Sequence, residues 1–167
     1  MSGLEYWGNG YVYDAWGNLK QKNVTKCEAE SLSAAVNPNN QLQGYDYDAA
    51  GNMMRDNKGT PYVYDAENRI SSTSGFNYVY DADGNRVQKV NANTNPATGT
   101  LYWYMSAGIV GESDLSGTLQ SEYVFFNGER AARKDFPGNA VSYYFSDHLK
   151  TASVITDAVG NIKSESD

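Results

Sequence analysis

A short motif that recurs along the chain restricts its fold more than any other feature of the sequence. Four segments share the pattern Tyr-x-Tyr-Asp-Ala, followed within a few residues by Asn and a hydrophobic residue: 11–19, 45–53, 62–70 and 78–87. Their Asp residues are 34, 17 and 16 positions apart, which indicates a unit of 16 to 17 residues with one degenerate copy between the first two. Self-similarity at a fixed period predicts a repeat architecture.

Each copy of the motif predicts a β-hairpin. Tyr-x-Tyr alternates with period two, as in a strand with one buried face. The Asp that follows can accept hydrogen bonds from backbone N–H groups of the turn. Gly or Asn three residues after the Asp supplies the left-handed conformation that closes the turn. The turn residues predicted from the four copies are Tyr13, Asp14, Gly17, Tyr47, Asp48, Gly51, Tyr64, Asp65, Asn68, Tyr80, Asp81 and Gly84.

Weaker copies extend the repeat through 110–162, and the last of them places Asp157 and Gly160 at the spacing of the motif. Since no linker-like break interrupts the repeat, we expect 1–167 to form a single repeat unit. The predicted fold class is all-β, with consecutive antiparallel hairpins joined into a long twisted sheet. A stretch at 26–36 allows one helical turn at most. Further strands are predicted at 101–104, 122–126, 142–145 and 153–156.

The composition agrees with many short strands and tight turns. Of the 167 residues, 16 are Gly and 17 are Asn, the two residue types that best tolerate positive φ. The net charge of −7 repels phosphate groups, so neither nucleic acid nor an anionic membrane is an expected partner. No segment approaches the roughly 18 consecutive apolar residues of a membrane span. The N-terminal residues do not predict a signal peptide.

The sequence predicts no active site, cofactor or metal site. Cys27 is the single cysteine, so an internal disulfide and a thiolate cluster are both excluded. His148, the single histidine, follows Asp147, and adjacent strand residues point to opposite faces instead of forming a catalytic triad. The segment from Asp81 to Asn85 resembles a calcium loop, but it lacks the glycine and glutamate that an EF-hand needs at its sixth and twelfth positions. We therefore expect a protein without enzymatic activity.

The less regular aromatic residues suggest an alternative function. Trp7, Trp16, Trp103 and Tyr104 could form an exposed platform on which sugar rings stack. A module that binds carbohydrate or a cell-surface receptor is therefore the alternative to a structural role.

The four motifs, together with the segments after them, resemble the YD repeats of the RHS family. The segments at 101–104, 122–128 and 143–149 follow the order found near the C-terminal part of the bacterial RHS core. The resemblance implies hairpins joined into one sheet that spirals into a hollow shell. In bacterial RHS toxins, as in the related insecticidal toxin complexes and teneurins, this shell is mostly a scaffold. In the bacterial toxins it encloses a C-terminal toxic domain, and the proteins are typically secreted or displayed at the cell surface.

Under this resemblance the chain is a non-catalytic piece of a shell. Its partners are then the rest of the parent RHS protein and the enclosed C-terminal domain, and its open sheet edges favour self-association. The family's self-cleavage segment, Asp-Pro…Gly-Leu, does not occur in the sequence, so neither a self-cleavage domain nor a toxin domain is expected within 1–167. Lys150 stands where the family usually has Gly after Asp-His-Leu, so the turn there is expected to differ.

Overall fold

The structure, a computed structural model, describes residues 8–26, 29–106, 108–147 and 152–165. Every regular element in these ranges is a strand. The predicted all-β fold of consecutive antiparallel hairpins is confirmed. The helical turn allowed at 26–36 was wrong for the described part of that segment, because Leu32 and Ser33 instead pair with Lys22 and Gln21 of the preceding strand. A search of the described residues for a long apolar helix that could cross a membrane finds none.

The chain divides into two compact units, Met1–Asn68 and Arg69–Asp167. The expectation that 1–167 forms one uninterrupted repeat unit stays a prediction. The first unit contains an antiparallel three-stranded sheet, a two-stranded hairpin and a further short strand. The sheet consists of β1 (Gly8–Tyr13), β2 (Leu19–Lys26) and β3 (Leu32–Ser33). The hairpin consists of β4 (Asp46–Tyr47) and β5 (Met53–Arg55), and β6 (Tyr62–Tyr64) follows it along the chain.

The second unit is one sheet in which each strand is antiparallel to the strand before it in the sequence. Its strands are β7 (Ile70–Thr73), β8 (Phe76–Tyr80), β9 (Arg86–Asn91), β10 (Thr98–Met105), β11 (Gly108–Ser113), β12 (Leu119–Phe126), β13 (Glu129–Asp135), β14 (Ala140–Ser146), β15 (Ala152–Asp157) and β16 (Ile162–Glu165). The four strands predicted at 101–104, 122–126, 142–145 and 153–156 lie within β10, β12, β14 and β15. Sequential pairing keeps nearly every strand contact local in the sequence.

The two faces of the second unit's sheet differ in chemistry. Register partners share a face, and neighbours along a strand point to opposite faces. One face, called the tyrosine face below, is defined by Tyr78, Tyr102, Glu112, Ser121, Tyr123 and Arg133. The other, called the valine face, is defined by Val79, Gln88, Leu101, Trp103, Val124 and Tyr143.

Few side chains are deeply buried. Among the described residues, Tyr123 is the one buried large hydrophobic side chain, at 8% exposure. The buried polar residues are Ser113, Ser121 and Ser142. Several apolar side chains of the valine face, among them Val79 and Trp103, are exposed instead. The sheet therefore carries no second layer among the described residues of its own unit, and hydrogen bonds and cross-strand contacts hold it together.

Candidate functional site

Asp81 illustrates a turn that recurs in both units. Its Oδ1 accepts the backbone N–H groups of Asp83 and Asn85 at 3.0 and 2.8 Å, and its Oδ2 accepts the side-chain amide of Asn85 at 3.0 Å. Its carbonyl oxygen accepts the N–H of Gly84 at 3.2 Å. One carboxylate thus satisfies three donors and fixes the path of the chain. The same three bonds to a carboxylate occur at Asp14, Asp48 and Asp157.

The fourth residue of each turn has a left-handed backbone. Its φ is +86° at Gly17, +88° at Gly51, +83° at Gly84 and +90° at Gly160. The copy without Gly places Asn68 there, with φ +60°. Asn is the non-glycine residue that best tolerates this conformation, so the departure from the motif preserves the turn.

The turn that contains Asn68 has the same backbone hydrogen bond as the turns that contain Gly. Its N–H donates to the Asp65 carbonyl at 3.1 Å, as Gly84 does to Asp81. The Asp65 carboxylate in turn accepts the N–H of Glu67 at 2.9 Å.

The hydrogen bonds of the turn stabilise the ionised carboxylate. The side-chain amide of the Asn four residues later is the largest cause, and it holds the pKa of Asp14, Asp48, Asp81 and Asp157 below the usual value of 3.8. Backbone N–H groups of the turn lower each pKa further, whereas partial desolvation opposes the shift. These carboxylates are therefore anionic at neutral pH and engaged in their own turns.

The tyrosine before the Asp bonds to the preceding strand. Tyr80 Oη donates to the carbonyl of Ile70 at 2.8 Å, and Tyr64 Oη donates to the carbonyl of Met53 at 2.9 Å. Ile70 and Met53 are each the first residue of the strand that leaves the preceding turn. The tyrosine thus connects one copy of the repeat to the copy before it.

The other two motif tyrosines make different contacts. Tyr47 Oη accepts the N–H of Leu42 at 3.2 Å. Tyr13 lies on β1 and is exposed. A bond donated by the motif tyrosine to a carbonyl of the preceding strand is thus present at Tyr64 and Tyr80.

Neighbouring turns of the first unit are also joined by asparagine side chains. Asn18 Nδ2 donates to Asn40 Oδ1 at 2.6 Å, and Asn52 Nδ2 donates to Asn68 Oδ1 at 2.7 Å. Asn40 and Asn68 both occupy the left-handed position of the second turn, with φ +63° and +60°. Asn at that position therefore supplies an acceptor that Gly lacks.

Two further turns form without the full motif. The sequence predicted one of them, as a degenerate copy, and did not predict the other. At Asp56, the carboxylate accepts the N–H groups of Lys58 and Thr60, and Gly59 has φ +85°. Neither Tyr nor Ala accompanies Asp56, so the motif search missed it. The predicted degenerate copy lies at Asn37, whose Oδ1 accepts two backbone N–H groups in the same way. Both turns share a carboxylate or amide that is followed three residues later by a residue with left-handed φ, Gly59 or Asn40.

The late copies divide into two kinds. Asp114 forms the turn, because its carboxylate accepts the N–H groups of Ser116 and Thr118. Asp135 does not, although Gly and Asn follow it. Its carboxylate instead accepts Ser121 Oγ at 2.9 Å and Arg133 Nε at 2.6 Å, so it belongs to the tyrosine face.

The tyrosine face contains a cluster of rings, cations and carboxylates that the motif did not predict. The Arg130 guanidinium lies 4.1 Å from the ring centroid of Tyr123 and 5.9 Å from those of Phe125 and Tyr144. Tyr123 Oη donates to Glu112 Oε1 at 2.9 Å. Burial, and next this bond to Glu112, raises the pKa of Tyr123 to about 12. At neutral pH the Tyr123 hydroxyl is therefore protonated and donates its hydrogen bond to Glu112.

The described residues of the predicted aromatic platform belong to two different units of the chain. Trp7 lies outside the described residues. Trp16, 86% exposed, lies at the tip of the Asp14 turn in the first unit. Trp103 and Tyr104 are neighbours on β10 of the second unit and line one cleft of about 450 Å³. Burial raises the pKa of Tyr104, whose hydroxyl donates to the carbonyl of Arg86 at 3.3 Å.

Other residues singled out in the sequence cannot be placed. Cys27, His148 and Lys150 lie outside the described residues. Across the described ranges, no three His, Cys, Asp or Glu side chains come together as a metal site.

Comparison with known proteins shows similarity to solved structures alone. No family model matches the chain, and no curated protein does. The crystal structure of TcdB2-TccC3-Cdc42 matches with a TM-score of 0.68 and 19% identity, over 95% of this chain and 9% of that one. The crystal structure of TcdB2-TccC3-TEV matches with a TM-score of 0.69 and 17% identity, over 96% of this chain and 10% of that one. The structure of the Photorhabdus luminescens Tc holotoxin pore matches with a TM-score of 0.69 and 17% identity, over 95% of this chain and 9% of that one.

The similarity covers nearly all of this chain but only a small part of each matched chain. The chain spans about a tenth of the length of the chains it matches. The chain has a β-rich fold like that of Tc toxin components.

Proposed function

We propose that this chain is a stretch of an RHS-type shell wall, a non-catalytic scaffold within a larger secreted or surface-displayed protein. The observation that carries the proposal is the repeated hairpin, in which Asp fixes the turn and Tyr bonds to the copy before it. Tyr64 and Tyr80 make that bond in equivalent positions, to Met53 and Ile70. A unit that bonds to its neighbour in this way extends into a continuous wall.

Some surfaces of the second unit's sheet are uncovered among the described residues, which supports a wall segment that packs against neighbouring segments. β16 forms the last strand of the second unit's sheet, and its side chains are exposed. Apolar side chains such as Val79 and Val124 are exposed on the valine face. Unpaired edges and exposed apolar patches are usually covered by partners. The rest of the parent protein and an enclosed C-terminal domain would supply that cover.

A scaffold role also explains how the acidic residues are used. The turn carboxylates of Asp14, Asp48 and Asp81 each accept three hydrogen bonds within their own turns. A catalytic carboxylate needs a partner group and access to a substrate. The repeated aspartates therefore serve the architecture in this proposal. The Tc toxin structures support it further, since their names describe assemblies of several components.

Association through the open edge tests the proposal. We expect light scattering of the isolated chain to show a mass that rises with concentration, because β16 offers unpaired backbone groups to a second copy. Ile162→Lys places a charge on that edge, where Ile162 is 61% exposed, and is expected to reduce association. Val159→Lys adds the same charge in the adjacent turn, at a residue 82% exposed, and is the matched control.

Two results would count against the wall. One is a strict monomer at every concentration. The other is equal association of the Ile162→Lys and Val159→Lys variants. Enclosure itself is tested by limited proteolysis of the parent protein. A segment enclosed by the repeats resists cleavage until the shell is unfolded, whereas immediate cleavage contradicts enclosure.

A further inference from the structure

The Arg130 guanidinium on the tyrosine face lies beside aromatic rings and makes no ion pair with the described residues. Register pairs Arg130 with Phe125 of β12. The ring centroids of Tyr123, Phe125 and Tyr144 lie 4.1, 5.9 and 5.9 Å from the guanidinium carbon. Arg130 is half-buried, and its side chain forms no hydrogen bond in the ranges that the structure describes. A guanidinium has five N–H donors, and a partly buried charge without a partner costs free energy, so the group has the capacity to bind an anion.

A second guanidinium lies beside the same tyrosine ring and has already taken the nearest carboxylate. Arg133 is 5.7 Å from the ring centroid of Tyr123, and its Nε donates to Asp135 Oδ1 at 2.6 Å. Glu112 accepts the hydroxyl of Tyr123 and forms no ion pair within the described part of the chain. Two cations therefore lie near one ring, and one carboxylate contacts them. A further carboxylate placed at Arg130 would complete the pairing.

Two aromatic residues beside Arg130 contribute a hydroxyl group and an apolar surface. Tyr144 is half-buried on β14, and its hydroxyl has no hydrogen-bond partner among the residues described. Phe125 is half-buried on β12, with its ring on the same face as Arg130. These three residues, Arg130, Phe125 and Tyr144, are called the Arg130 site below.

The charge of the whole chain limits the kind of anion that suits this site. A net charge of −7 repels a polyphosphate, whose charges are closely spaced. A single carboxylate on an otherwise uncharged segment meets less repulsion. An apolar side chain next to that carboxylate would also gain contact with the aromatic rings.

We propose that the Arg130 site docks a segment of another polypeptide in which a Glu or Asp precedes an apolar residue. The carboxylate accepts two parallel N–H groups of the guanidinium, the bidentate geometry that arginine favours. The Tyr144 hydroxyl donates to the same carboxylate, and the apolar side chain packs on the Phe125 ring. The proposal does not rest on the wall, because sheets of many architectures carry docking sites on a face.

Titration of the full chain with two blocked tetrapeptides tests the proposal without any change to the protein. One peptide is acetyl-Gly-Glu-Leu-Gly-amide, and its matched control has Gln in place of Glu. Each is raised to millimolar concentration at low salt, and binding is followed by NMR chemical shifts. We expect saturable binding of the Glu peptide and binding of the Gln peptide that is weaker by about tenfold or more. Inorganic phosphate and a single-stranded oligonucleotide are titrated in parallel, and both are expected to bind more weakly than the Glu peptide.

Substitutions in the chain locate the binding. Arg130→Gln removes the charge and is expected to weaken binding of the Glu peptide by about tenfold or more. Arg130→Lys keeps the charge without the fork, so part of the affinity is expected to remain. Arg55→Gln removes an arginine of the first unit whose side chain is 55% exposed, and it is expected to leave binding unchanged.

Tyr144→Phe separates recognition from folding. It removes one hydroxyl from the Arg130 site and keeps the ring, so binding is expected to weaken by several fold while the circular dichroism spectrum is unchanged. The absence of saturable binding of the Glu peptide to the folded chain overturns the proposal. Equal binding of the Glu and Gln peptides, or binding that Arg130→Gln leaves intact, overturns it as well. Tighter binding of phosphate or of the oligonucleotide would assign the site to a phosphate group instead.

Discussion

Substitution of Gly84 by Val isolates the energetic role of the left-handed turn residue. Gly84 has φ +83°, and a Cβ built on it would meet no atom within 4 Å. The Cβ atom itself therefore meets no residue other than its two chain neighbours. What remains is the backbone strain of a side chain in left-handed space, about 1–2 kcal/mol for an ordinary L-residue and more for a β-branched one.

Gly138→Val is the matched control. Gly138 also lies in a turn of the second unit with no atom within 4 Å of its Cβ position, but its φ lies outside the left-handed region. Replacing Gly also restricts the unfolded chain, which stabilises by about 0.4–1 kcal/mol where the backbone is compatible. Both variants share that gain, so the difference between them measures the strain. We expect Gly84→Val to be less stable than Gly138→Val by about 1–2 kcal/mol or more.

Urea and thermal unfolding followed by circular dichroism measure this difference. For a chain of this length, about 1 kcal/mol corresponds to roughly 2–4 °C in Tm. Gly84→Asn is expected to lose only a small part of the stability, because Asn68 adopts φ +60° in the equivalent position of another turn. Equal midpoints for Gly84→Val and Gly138→Val would refute the assignment of the strain to this turn.

Three further predictions follow from the bonds described above. Asn52→Ala and Asn68→Gly each break the bond between two turns, so a double-mutant cycle in urea should show a coupling of about 0.5–1.5 kcal/mol, and additive effects would contradict the bond. The lowered pKa of the turn aspartates predicts stability that is constant above about pH 5 and declines as pH falls below 3.8 through their folded pKa; Asp48→Asn should reduce that decline in pH-dependent unfolding. The Tyr123 hydroxyl, whose pKa is raised to about 12, should titrate near that pH in ¹³C NMR, and Tyr123→Phe should remove that signal.

The hairpins and their turns were predictable because their causes are local. Asp81, Ala82 and Gly84 lie within four positions, and the bonds that fix the turn join residues no further apart than Asp81 and Asn85. The same logic predicted that Asn68 replaces Gly with positive φ. A search for the whole Tyr-x-Tyr-Asp-Ala pattern was too strict, however. The turn at Asp56 forms without the Tyr and Ala residues of the motif, with its carboxylate and a left-handed Gly59.

The faces of the sheet were not predictable from the same pattern. Asp135 has Gly and Asn at the right distances, yet its carboxylate is bound by Ser121 and Arg133 from the tyrosine face. Strand register places Ser121 opposite Asp135, and a motif does not contain register; Arg133 lies two residues before Asp135 on the same strand. The position of Trp103 depends likewise on Ser113, ten residues away on the next strand, and on the absence of a side chain at Gly111.

In the proposed wall, the local turns and the exposed faces of the sheet have separate roles. Each strand of the second unit pairs with the strand next to it in sequence, so hairpins form without long-range closure. The turn carboxylate is satisfied within its own turn, as at Asp81, by backbone N–H groups and the side-chain amide of Asn85. Under the same proposal, a neighbouring copy would cover the exposed apolar side chains of the valine face and the outer edge of β16. In nearest-neighbour repeats, part of the stability resides in the interfaces between copies. If the chain is part of a larger repeat protein, as proposed, its stability should rise when adjoining hairpins are added, whereas the geometry of each turn stays the same.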